Sequence, residues 1–269
     1  NACVTSHEDL GDRVRVTCAD GRTFEGAALI AADGLKSRIR DALVNDKLHP
    51  IGYVAHRTIV DMKDIPADFP HKKDVVLWGG PGYHVVHYPL RHGTLFNIVA
   101  VFKDPAPNHG DQYVTHEEDV QHVYVNAHPA LKSILALMDL ERRWVIADRN
   151  PVRQWNRGRV VLLGDAAHPV LQSYAQGAGM AIEDAGCITN LLEQYDYERA
   201  FAEFSKRRAM RTARMQLECR DVWKFYHEEG IERDVRNMRL EGRTSEDSYK
   251  CLDWIWNGGT NPVVSGAAA

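Results

Sequence analysis

The segment Arg157 to Ala185, RGRVVLLGDAAHPVLQSYAQGAGMAIEDA, constrains this chain more than any other. Arg159–Leu163 reads RVVLL, a run with no polar side chain after its first residue, as expected of a strand covered on both faces of a sheet. It delivers Gly164-Asp165 to the strand's carboxyl end, where open α/β sheets place their ligands. A carboxylate there accepts hydrogen bonds from hydroxyls, so a ribose or ribityl chain is a natural partner. Gly177-Ala178-Gly179 then opens a helix continuing through Met180–Leu192. Small residues at that end let a ligand approach backbone N–H groups where negative charge is favoured. The same residues also fit a plainer strand–loop–helix unit, with glycines for packing and Asp165 as a cap.

A second segment repeats the logic. Ala28 to Arg40, ALIAADGLKSRIR, is a strand-like run ending in Asp33-Gly34 and followed by Ser37, Arg38 and Arg40. Asp33 is placed to cap the next helix, read over Ser37–Leu43, and Arg38 to reach a phosphate. Taken alone, strand–Asp–Gly–helix is a common arrangement and carries little.

Around these segments the chain alternates in character. Arg13–Cys18 reads as a half-buried strand, Ala19-Asp20-Gly21 as a turn, and Thr23–Ala32 as the returning strand. Gly52–Met62, Asp74–Trp78, Tyr83–Pro89 and Leu95–Phe102 read as strands of an antiparallel sheet, cut by Gly79-Gly80-Pro81-Gly82 and closed by a loop at Lys103–Asp111. Helices are expected near His116–Asn126 and Ala130–Met138, strands at Arg143–Ala147 and Arg159–Leu163. The chain is helix-rich from Gly177 to about His227, and a small polar tail expected to fray follows Gly258. The expected fold class is therefore mixed α/β, with one domain interrupted by another. Boundaries fall at 1–50, 51–150, 151–195 and a helical part at 196–269.

Composition narrows the function classes. The 269 residues make one large or two modest domains at about 150 residues each. Apolar residues at 44% and charged residues at 26% describe a chain that buries a core rather than a disordered one. A net charge of −4 gives no global attraction for nucleic acid or an anionic membrane. No apolar run approaches the ~20 residues of a membrane span, and no secretory signal is visible. The five scattered cysteines read as reduced thiols, and the expected compartment is the cytoplasm.

In a strand, residues four apart share a face, so His84, Val86 and Tyr88 project together while Tyr83, Val85 and His87 point the other way. A polar pair across a valine suits a small phenol; it also suits two half-exposed strand residues. His87 is taken as structural or exposed. The histidine groups His84/His87 and His116/His122/His128 match neither a helical H-E-x-x-H pattern nor a Cys/His zinc spacing, and no metal site is expected.

The two Asp/Gly segments, in this order and with a β-rich insert between them, resemble the DG and GD motifs of the class A flavoprotein aromatic hydroxylases. These are single-component FAD monooxygenases with the p-hydroxybenzoate hydroxylase fold. The resemblance implies an FAD-binding, Rossmann-like domain interrupted by an antiparallel substrate domain. It implies that Asp165, with Gly164, contacts the ribityl chain. Pro169, Gln176, Gly177, Ala178 and Gly179 would lie along the flavin, and Asp33, Gly34 and Arg38 would serve FAD and NAD(P)H. Ala31 stands where the family usually has glycine. Within the family, His168-Pro169, Leu171-Gln172, Ala175–Ala178, Ile182–Ala185 and Gly82–Val101 are most similar to 3-hydroxybenzoate 6-hydroxylases. Salicylate and 6-hydroxynicotinate hydroxylases usually carry Pro-His where this chain has Leu171-Gln172. The resemblance then implies that His84, Tyr88 and Gln172 face the substrate. The implied reaction takes 3-hydroxybenzoate to 2,5-dihydroxybenzoate (gentisate) with FAD, NADH or NADPH, and dioxygen. His84, with a pKa near neutrality, would accept the phenol proton or stabilise the phenolate.

The family's leading βαβ unit with G-x-G-x-x-G is not found in this sequence. The chain is therefore expected to be part of a longer enzyme or a truncated, non-catalytic relative. As it stands it is expected to bind FAD weakly or not at all and to expose apolar surface. Tyr197–Trp256 offers either a homodimer face or helices packing on their own domain.

Overall fold

The computed structural model of the protein describes residues 2–256; the polar tail after Gly258 lies outside them. The chain divides into two units. Asn1–His49, Asp148–Asp221 and the residues from Arg243 form the first, Pro50–Ala147 and Val222–Gly242 the second.

The first unit opens with an antiparallel meander of β1 (Val4–Asp9), β2 (Val14–Cys18) and β3 (Thr23–Gly26). Gly11 and Gly21 turn it with φ of +90° and +83°, a region that a Cβ disfavours. β1 escapes a pattern search because VTSHED holds a single apolar side chain. The returning strand read over Thr23–Ala32 is in fact two strands. It breaks at Ala27-Ala28, and its second piece, β4 (Leu29–Ala31), joins β10 (Asn156–Arg157) and β11 (Val160–Leu162) in a separate sheet of order β10-β11-β4. β4 and β11 pair in parallel, Leu29 opposite Val160 and Ala31 opposite Leu162. The apolar run of β4 is not covered on both faces as its composition suggested: Ala31 is buried, but Ile30 on this edge strand is 43% exposed. β11 does fulfil its pattern, with all three residues buried.

α1 (Arg38–Val44) starts where Ser37 Oγ accepts from Arg40 N at 2.9 Å. The Arg40 side chain is fully buried and survives there because its donors are filled by Asp46 and by the carbonyls of Ala166, Ala167 and Asn150. Arg149 meets the same Asp46 carboxylate from the other side at 2.8 Å. α4 (Gly177–Leu192) and α5 (Tyr197–Tyr226) follow β11. Phe201 and Phe204 of α5 pack with Trp155, Val161, Ile188 and Leu191 in one core. Arg211 of α5 donates to the Trp254 and Ile255 carbonyls at the end of α7 (Ser245–Trp256), where a helix dipole favours a cation.

The second unit is built on a five-stranded sheet of order β6-β7-β8-β5-β9. Its strands are β5 (His49–Asp61), β6 (Val76–Gly80), β7 (Tyr83–Leu90), β8 (Leu95–Lys103) and β9 (Trp144–Asp148). Register fixes its two faces: Tyr83, Val85 and His87 stand opposite Phe102, Ala100 and Ile98, whereas His84, Val86 and Tyr88 stand opposite Val101, Val99 and Asn97. The first face is buried under α2 (Glu117–Val123) and α3 (Pro129–Leu135) through Val120, Tyr124, Leu131 and Ile134. His128 of the expected histidine group caps α3, its Nδ1 accepting from Ala130 N at 3.2 Å. α6 (Gly230–Glu241) leaves Ile231, Val235 and Met238 exposed. No helix among the described residues is long and apolar enough to cross a membrane.

His87 is part of the buried core. Neither ring nitrogen has a hydrogen-bond partner; the ring stacks on Phe96 at 5.0 Å and meets the edge of Phe69 at 5.1 Å. Burial pushes its pKa down to about 4. A group whose folded pKa is depressed adds stability above its unfolded pKa and loses it as pH falls toward the folded value, here between about 6.5 and 4. His87→Phe keeps the shape and removes two unpaired nitrogens. It should raise the urea midpoint at pH 7 by the equivalent of about 1–2 kcal/mol and soften the loss of stability below pH 6.

Candidate active site

The first unit gathers one set of expected residues around the start of α4. β11 ends in the turn Gly164–Ala166, entered at Gly164 with φ +60°. A Cβ on Gly164 would stand 3.2 Å from that of Ala181, so the turn lies tight against α4. Asp165 is exposed and no described residue pairs with it, whereas a Cβ on Gly177 would lie 3.7 Å from its Oδ1. No side chain caps α4 at Gln176, and its first turn holds only Gly177, Ala178 and Gly179. Gln176 instead donates to the Tyr174 carbonyl at 3.3 Å. Pro169 is buried and its carbonyl accepts from Gln216 at 3.1 Å. A free carboxylate thus stands beside a helix N-terminus that no side chain caps, with Val170 against Gly177 and the Gln176 carboxamide oxygen against Gly179.

Asp184 holds this arrangement. It is fully buried on α4 and accepts from Gly164 N at 3.0 Å, from Arg208 Nε at 2.7 Å and from His168 Nε2. Burial alone would raise its pKa, but the His168 hydrogen bond and charge, with those of Arg208, hold the carboxyl below its ordinary value. In the sequence Asp184 stands out only as one residue of Ile182–Ala185. The available signal was its position on the buried stripe Met180, Asp184, Ile188 and Leu191, where an ionisable residue needs a partner.

The DG segment is in the same unit. Gly34 has φ +80°, and the Asp33 carboxylate accepts from Arg38 N at 3.1 Å. Ser37, not Asp33, is the N-cap of α1. The Arg38 guanidinium is exposed and no described residue pairs with it. Arg40, the other arginine of the segment, is committed to the buried network. Gln172 also belongs to this unit, exposed in the turn Gln172–Tyr174.

His84 and Tyr88 lie in the second unit, on the sheet face away from α2 and α3. The Tyr88 hydroxyl accepts from Arg57 Nη2 at 3.5 Å, and Arg57 Nε donates to Asn97 Oδ1 at 2.7 Å. His84 is 1% exposed. Its Nδ1 meets His227 Nε2 at 2.8 Å, and the edge of Trp223 closes on it at 5.0 Å. Burial first, then the positive charge His227 can carry, push the His84 pKa down to about 3. The expectation of a pKa near neutrality is thereby corrected: His84 is a neutral imidazole at physiological pH. His227 was missed entirely, because nothing in a sequence pairs residues 84 and 227.

Residues 2–204 match the FAD binding domain family. The chain is 38% identical to 3-hydroxybenzoate 6-hydroxylase 2 of Aquipseudomonas alcaligenes over 96% of its own length and 81% of that protein's. It is 40% identical to 3-hydroxybenzoate 6-hydroxylase of Polaromonas naphthalenivorans over 92% of its length, and there it spans 63% of the relative. The crystal structure of Klebsiella pneumoniae HpxO complexed with FAD and uric acid superposes with TM-score 0.81 at 27% identity, covering 93% of this chain and 65% of that one. A salicylate hydroxylase substrate complex shares the fold at TM-score 0.78 and 24% identity, covering 98% of this chain and 72% of that one. The chain belongs to the FAD-dependent aromatic monooxygenase family. FAD is the family's cofactor, and the first unit fits it: a free carboxylate for hydroxyls, uncapped amides for acceptors, and glycines where side chains would obstruct.

Asp184→Asn would break a buried ion pair, leaving Arg208 with Glu183 as its remaining carboxylate and His168 with none. It should lower unfolding free energy by about 3 kcal/mol in urea titrations at pH 7. That difference should shrink below pH 4, where the wild-type carboxyl approaches its own protonation and loses the same interaction.

Proposed function

We propose that the protein carrying this chain hydroxylates a monocyclic phenolic acid, and that the substrate is 3-hydroxybenzoate and the product 2,5-dihydroxybenzoate, with NADH as reductant. The observation that carries the reading is the face of β7. It presents a buried, neutral His84 and a half-buried Tyr88 across Val86, in a chain 38% identical over 96% of its length to a 3-hydroxybenzoate 6-hydroxylase.

FAD, when bound, supplies the redox chemistry that couples nicotinamide oxidation to dioxygen. Asp165 would hold hydroxyls of its ribityl chain, the amides of Gly177, Ala178 and Gly179 its acceptor atoms, and the free Arg38 guanidinium a phosphate. Gly164, Pro169, Gln176, Asp33 and Gly34 shape the backbone around these groups. His84 would bind the phenolic oxygen, whose deprotonation raises electron density at the ortho and para ring carbons. A free phenol has a pKa of about 10, so the site must favour the anion to work near pH 7. Tyr88 would orient the ring, with Arg57 holding its hydroxyl, and the exposed Gln172 is a further candidate to contact the substrate.

The protein from its complete gene, loaded with FAD, should oxidise NADH in the presence of 3-hydroxybenzoate. One atom of labelled dioxygen should appear in 2,5-dihydroxybenzoate. His84→Ala should lower kcat about a hundredfold while the flavin spectrum persists. Turnover of salicylate or 6-hydroxynicotinate in place of 3-hydroxybenzoate would replace the substrate assignment. NADH oxidation without oxygen incorporation for any of the three would overturn the reading.

A further inference from the structure

His84 and His227 share one hydrogen bond, Nδ1 to Nε2, at 2.8 Å. Between two neutral imidazoles one nitrogen donates and the other accepts, so two arrangements exist. In the first, His84 Nδ1 carries the proton and donates. His227 Nε2 then accepts, and the proton of His227 sits on its own Nδ1. That atom is fully enclosed and has no hydrogen-bond partner. The first arrangement therefore orphans a buried N–H. In the second, His227 Nε2 carries the proton and donates to His84 Nδ1. The enclosed nitrogen is then a bare acceptor. Orphaned buried N–H groups are rarer in folded proteins than unfilled acceptors.

A doubly protonated His227 would avoid the choice, but its surroundings oppose a cation. Burial, then the charge of Lys103, push its pKa down to about 4. The ring of Tyr53 stacks on it at 4.7 Å, and Trp223 of α5 meets its edge at 5.2 Å. The second arrangement has a consequence at the far side of His84. With Nδ1 accepting, the ring's proton must be on Nε2. That nitrogen has no hydrogen bond to a described residue and, unlike both nitrogens of His87, is not fully enclosed. It belongs to the sheet face of Val86 and Tyr88.

We propose that His227 is a positioning residue that fixes His84 as an Nε2–H donor, so that the site holds its substrate's phenolic oxygen as an anion, the phenol's proton passing to bulk water on binding and not to His84. The part that concerns substrate rests on the function proposed above; the tautomer does not. A fixed donor aimed at developing negative charge needs no reorganisation when the charge forms.

Nitrogen-15 NMR of histidine-labelled protein reads the tautomer directly, with His84→Gln and His227→Gln used to assign the resonances. The expected result is an Nε2–H, bare-Nδ1 imidazole for His84 at pH 7. An Nδ1–H imidazole or an imidazolium at His84 overturns the proposal, whether or not any substrate is found. In the FAD-loaded protein, bound 3-hydroxybenzoate should show the red-shifted ultraviolet band of a phenolate. His227→Phe, which removes the donor but keeps the ring packing, should release His84 into mixed tautomers and weaken that band and the affinity about tenfold or more. A phenolate band unchanged in a folded His227→Phe overturns the positioning role. An Nε2–H His84 in a protein that binds no 3-hydroxybenzoate sustains the tautomer and rejects the substrate instead.

Discussion

One buried carboxylate organises the first unit. Asp184 takes hydrogen bonds from the backbone of the Gly164 turn, from His168 in the loop beyond it and from Arg208 on α5, while itself sitting on α4. An ion this deep is tolerable only when its oxygens are all engaged, which makes the surrounding geometry narrow. Gly164 reaches Asp184 with φ +60°, a conformation that glycine takes with least strain in so tight a place. The turn so fixed aims Asp165 outward and leaves it unpaired beside the open end of α4. The carboxylate that binds nothing in the fold is free because its neighbour nineteen positions on binds so much.

Both units match buried charges, the second at Arg143 and Asp104, 2.7 Å apart, but the second also encloses histidines that form no ion pair with a described residue. In the first, Arg40, Arg149, Asp184 and Arg208 are matched by counter-charges and carbonyls. In the second, His84, His87 and His227 are enclosed among aromatic rings and give up their charge; all three have pKa values pushed down to about 3 or 4. Matched charges tie distant segments together. Neutral histidines cost less desolvation and preserve hydrogen-bond direction, which a site for a small aromatic acid can use.

Much of this was legible in the sequence, and the failures have physical causes. The mixed α/β class, the interrupted order of elements and the strands of the second unit followed from period-2 alternation and Gly/Pro punctuation. Tyr83–Pro89 and Leu95–Phe102 each fall within a residue of the observed strands. The opposition of His84 and His87 also followed from strand geometry. The apolar run Ala27–Ala32 misled, because composition reports what could be buried and not which neighbour is present; β4 has a strand on one side only. The His84 pKa misled for a related reason. A side chain's charge state depends on what encloses it, and His227 comes from the turn just beyond α5, invisible to any local pattern. Asp184 shows the opposite case: an acidic residue in a buried helical stripe announces a partner without naming it.

A neutral donor also changes where pH sensitivity must reside. An imidazole with a pKa near 6.5 would bind an anion strongly when protonated and weakly when not, so its interaction would fade across the physiological range. His84, held neutral by burial, carries the same proton on both sides of that range. The strength of its hydrogen bond is then set by geometry and by the charge of the oxygen it meets, not by its own titration. On the function proposed above, selectivity follows from the same constraint. A single fixed N–H among apolar and aromatic walls gains most from an oxygen that bears charge, and least from one that must spend its own hydrogen elsewhere. The enclosure that costs the fold an unpaired nitrogen on His227 is what keeps that donor pointed one way.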